Sequence, residues 1–88
     1  MALSSIEQKE LVVAFGRDVR RVSADLFEAT TEEVTKAQKN SAIAAGRRKV
    51  KEYGNLLSSL QGARRTEVET RYADIIRNIQ SRLMSLEA

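Results

Sequence analysis

The sequence predicts an all-α fold, a small antiparallel three-helix bundle, from three observations. Apolar residues recur at helical spacing through three long stretches, no proline interrupts any of the 88 residues, and capping patterns fall where the spacing breaks. One domain spanning residues 1–88 follows from the length. A chain this short buries only slightly more than ~60% of the surface its unfolded form exposes. The alternative architecture is a long helical hairpin that completes its core by oligomerising.

Helix 1 is expected to begin just after Ser4 or Ser5. Ser4 with Glu7 and Ser5 with Gln8 both fit the reciprocal pattern that satisfies the free N–H groups of a first turn. Val12, Phe15, Val19, Val22, Leu26 and Ala29 then follow at alternating steps of three and four, one line along a helix. Continuing that line would bury Glu33 and Lys36, so the helix should end near Glu28, with a bend at Thr30. Thr30 and Glu33 stand at capping-box spacing for helix 2.

Helix 2 is expected to carry Val34, Ala37 and the small-residue patch 41–46. Its seam is read as Ile43, Val50, Tyr53, Leu57 and Leu60. Gly46 and Gly54 each lower helix propensity by about 1 kcal/mol relative to alanine and are candidate kinks; small side chains there would also let a neighbouring helix approach closely. Gly62 stands where a C-terminal cap belongs. Helix 3, starting at Thr66 or nearer Ala63, aligns Val68, Tyr72, Ile76, Ile79, Leu83 and Leu86, with Ile75 widening the face. Glu67 and Arg71 form a favourable i, i+4 pair on its exposed side.

Composition narrows the chemistry. There is no histidine and no cysteine, which removes disulfides, thiolate metal sites and the commonest general base. Glu32 with Glu33, and Glu67 with Glu69, diverge on a helix and make no acid–base pair. Ser58 and Ser59 lack a lysine at suitable spacing to activate them. Gly46-Arg47-Arg48 lacks the pattern of a phosphate-cradling loop, and a helix-turn-helix at Gln61-Gly62-Ala63 would have helices much too long. Neither an enzyme nor a cofactor or metal site is expected.

Surface chemistry is what remains. Ile6, Val13, Ala24 and Phe27 lie off the main line of helix 1, on a second face interrupted by Arg17 and Arg20. Such a face serves either the other helices of the bundle or a partner. Arg47, Arg48 and Lys51 project from helix 2, and Arg64, Arg71 and Arg82 form a stripe on helix 3. Those six could contact an anionic partner, or act as solvated flanks whose stems cover the core edge. Glu52, Glu67 and Asp74 are interspersed and the net charge is only +3, which favours the flanks.

The function expected from these residues is a non-enzymatic helical protein–protein interaction module: an adaptor, a regulator, a chaperone-like subunit or a structural component of a larger assembly. Its partner would be another protein or a second copy of itself. The alternative is a nucleic-acid-associated protein using the basic face of the C-terminal half; peripheral contact with anionic membranes ranks third, and a membrane is not an expected partner. The longest apolar run, Leu11 to Phe15, is far below the ~20 residues that cross a bilayer. With no signal-like N-terminus, an intracellular, cytoplasmic location is expected.

Overall fold

The computed structural model describes residues 4–87, and they form three helices: α1 (Ser5–Thr31), α2 (Lys36–Ser59) and α3 (Gly62–Glu87). No strand occurs among the described residues. Each helix packs against both others in an up-down-up bundle 43 Å long, close to the ~40 Å that 27 helical residues span. The hairpin alternative is excluded by the complete break between α1 and α2.

α1 starts where the sequence places it. Ser4 caps the first turn, its hydroxyl accepting from the Glu7 N–H while the Glu7 carboxylate accepts from the Ser4 N–H. The other end differs from expectation. Thr30 does not cap α2: it and Thr31 stay in α1, and both hydroxyls donate back to the Phe27 carbonyl. Ala29 is half-buried and continues the seam for one more turn, so ending the helix at Glu28 would gain nothing. The cap of α2 is Thr35, in a reciprocal box with Gln38, and Val34 lies in the connection instead of in the helix. Both pairs match the capping pattern, and packing beyond Glu28 decided between them.

Leu60, in extended conformation, terminates α2, and Gly62 is not the cap expected of it. Gly62 instead opens α3 with a φ of +62°, a conformation that side chains rarely adopt, and turns the chain after a two-residue connection. Gly46 and Gly54 produce no break, since α2 runs unbroken from Lys36 to Ser59.

The lines read for α1 and α3 form the core. Val12, Phe15, Val19, Val22 and Leu26 are buried against Val68, Tyr72, Ile76, Ile79 and Leu83, with Ala29, Ile75 and Leu86 at the margin. In α2 the line is rotated from the one expected. Its centre is Ala42, Gly46, Lys49, Tyr53, Leu56 and Leu60, while Ile43, Val50 and Leu57 are half-buried flanks. The reason is space. A Cβ on Gly46 would lie 2.9 Å from both Leu26 Cδ1 and Leu83 Cδ2, so the leucines of the two neighbouring helices fill the volume that α2 leaves open. A second layer is aromatic: the Phe15 ring stacks on Tyr53 at 6.0 Å and meets Tyr72 edge-on at 5.3 Å.

Candidate functional site

α1 touches α2 along one flank and α3 along the other, so only its outer side stays open. Asp18 reaches Lys49 of α2, and Gly16 faces Tyr72 of α3. At about 100° per residue, Ile6, Glu10, Val13, Arg17, Arg20 and Ala24 lie along the side pointing away from both neighbours. All six are exposed. Ile6 retains 72% of its accessible surface and Val13 53%, although core positions on the same helix are fully covered.

Phe27, placed with Ile6, Val13 and Ala24 by sequence, sits further round toward α3. It is 54% exposed, and the Arg82 guanidinium lies 4.7 Å from its ring centroid. Arg82 also donates to the Thr30 hydroxyl at 2.6 Å, which places its positive charge near the C-terminal end of α1. The pair ties α1 to α3, and one ring face is occupied.

The six basic residues do not form one surface. Arg47 is paired with Glu87 across α2 and α3, Arg71 approaches Glu67 at 3.8 Å, and Arg82 is held by Thr30 and Phe27. Arg48, Lys51 and Arg64 have no ion pair among the described residues. They are divided between two helices, and Arg64 is half-buried.

Sequence reasoning missed Lys49. It occupies a central position on the inner line of α2, its side chain only 11% exposed, between Glu52 at 2.5 Å and Asp18 at 3.5 Å. Beside it runs an open groove between α1 and α2, lined by Leu11, Ala14, Phe15, Asn55, Leu56 and Ser59. Its inward position follows from the rotation that the small residues impose on α2, and hydrophobic spacing does not weigh side-chain size. Among the described residues, no polar side-chain atom is sealed from solvent without a partner and no cluster of acidic residues could hold a metal ion. No helix among the described residues is long and apolar enough to cross a membrane. Burial, then the nearby Glu69 carboxylate, raise the titration of the Tyr53 hydroxyl above the usual tyrosine value.

No family model, no curated protein and no solved structure matches this chain.

Proposed function

We propose that the bundle is a protein-interaction module that works through the outer face of α1. The observation that carries this reading is the exposure of Ile6 and Val13 on a helix whose other two flanks are already used for folding. Neither side chain contributes to the core, so their burial remains available to a contact, and burying each would contribute about 1.5–3 kcal/mol. Arg17 and Arg20, between them and Ala24, add orientation and partner selection. The basic residues of α2 and α3 support the anionic-partner alternative less, because half of the six are engaged within the chain.

The test is site-specific photo-cross-linking in cells that make the protein. A photoreactive residue at position 13 should give a discrete protein adduct, lost when Ala24→Asp places a carboxylate on the same face. One at position 51 should give none. Adducts formed from position 51 alone, and removed by nuclease, would replace this reading with nucleic-acid association.

A further inference from the structure

We propose that the outer face of α1 is self-complementary and that a second copy of this chain docks on it antiparallel. The inference rests on the α1-face reading and names its occupant. Ile6, Glu10, Val13, Arg17, Arg20 and Ala24 follow one another at steps of four, three, four, three and four, a spacing that reads the same in both directions. Two copies related by a twofold axis that crosses the outer face of α1 at the level of residue 15 therefore bring every one of these positions opposite another. Ile6 meets Ala24 of the second copy, Val13 meets the stem of its Arg17, and Glu10 meets its Arg20. Because such an interface is isologous, the Glu10–Arg20 pair forms twice.

Charge selects this arrangement over its competitors. Glu10, Arg17 and Arg20 have no ion pair within the chain among the described residues. Arg20 and Arg21 each stand one turn from Arg17 as like charges, with no carboxylate on the face between them. A parallel pairing would set Glu10 on Glu10 and arginine on arginine. Sliding the antiparallel pair by a heptad in one direction sets Arg17 on Arg20, and in the other leaves Glu10 opposite Val13. Of these, only the register centred at the level of residue 15 pairs the charges.

The contact is small. Ile6 to Ala24 spans about 27 Å of one helix, so the interface falls below the ~1,200 Å² of a stable complex and the dimer exchanges rapidly. The dimer is therefore expected to populate only toward the upper end of the protein concentrations accessible in solution.

Sedimentation equilibrium of the full chain, from about 10 µM to about 1 mM at low salt, tests it. The expected result is a monomer at the low end and a rising dimer fraction at the high end. Glu10→Arg and Arg20→Glu should each weaken dimerisation about tenfold or more, and the double variant should return it to within about threefold of the original, since the reversed pair is again opposite in sign. Both side chains are exposed, and circular dichroism of each variant confirms that the fold is retained. A chain that stays monomeric throughout overturns the proposal, as does a double variant that fails to recover. Monomer together with an adduct of a different protein at position 13 would overturn the second copy as occupant and leave the α1-face reading standing. A dimer indifferent to both reversals would place the self-contact elsewhere and overturn the proposal, while the α1-face reading would still be decided by the adduct at position 13.

Discussion

Two helical glycines offer the same substitution in opposite surroundings. A Cβ built on Gly54 meets nothing within 4 Å, whereas one built on Gly16 would lie 2.2 Å from the Tyr72 hydroxyl oxygen and 3.1 Å from its Cζ. Glycine to alanine in a helix interior gains roughly 1 kcal/mol at either site. At Gly16 the tyrosine must also retreat by about 1 Å to reach an ordinary contact distance. It has little room, being 4% exposed and held edge-on by Phe15, which is itself stacked on Tyr53. Such overpacking costs about 1–3 kcal/mol. Gly54→Ala should therefore stabilise the bundle, while Gly16→Ala should be neutral or destabilising by up to about 2 kcal/mol. Urea denaturation followed by circular dichroism measures both. Tyr72→Phe supplies the control: the hydroxyl makes no hydrogen bond within the protein among the described residues, so its removal alone should change little, but it deletes the 2.2 Å overlap and should rescue most of the Gly16→Ala loss. Equal stabilisation by the two alanines would refute the packing of α1 against α3 at this level.

Val19→Ala or Ile79→Ala should each cost about 1–4 kcal/mol, because both side chains are fully buried at mid-seam; Arg77→Ala should leave the denaturation midpoint unchanged, since Arg77 and its partner Asp74 lie out in solvent. Lys49→Met should be neutral or stabilising, because a packed apolar side chain avoids desolvating the ammonium, and a loss above about 2 kcal/mol would show that its pairs with Asp18 and Glu52 are needed for the fold. Between pH 6 and 8 no folding transition is expected, as there is no histidine to titrate. Above about pH 10 stability should fall: Tyr53 keeps its proton longer in the folded chain than in the unfolded one, so the folded state binds more protons there and the slope of stability with pH is negative. A Tyr53→Phe variant that lost stability equally over that range would assign the effect to another group.

The sequence was most legible where one kind of physics acted alone. The lines of α1 and α3 are set by bulky apolar side chains, and hydrophobic periodicity finds them directly, from Val12 to Leu26 and from Val68 to Leu83. α2 was misaligned because size, a property periodicity does not weigh, decides its inner face. Ala42 and Gly46 point inward since Leu26 and Leu83 need the volume, which turns Ile43 and Val50 to the flank and carries Lys49 inward. Thr35 with Gln38 fits the capping pattern as well as Thr30 with Glu33 does, and nothing local reveals that Ala29 still has a surface to cover.

The same limit governs the candidate surface. Ile6, Val13 and Ala24 can be separated from the core line by angle, yet their exposure depends on where α2 and α3 sit, which is a property of the whole bundle. Phe27 shows the consequence. By angle it joins Val13, but Arg82, fifty-five positions along the chain, covers one face of its ring and fixes it to the α1–α3 junction. A carboxylate at position 27 would therefore meet Arg82 across the α1–α3 junction, whereas one at position 13 or 24 stands one turn from Arg17 or Arg20 of α1 itself and disturbs neither neighbouring helix. The face whose perturbation separates binding from folding is thus the line through Ile6, Val13 and Ala24.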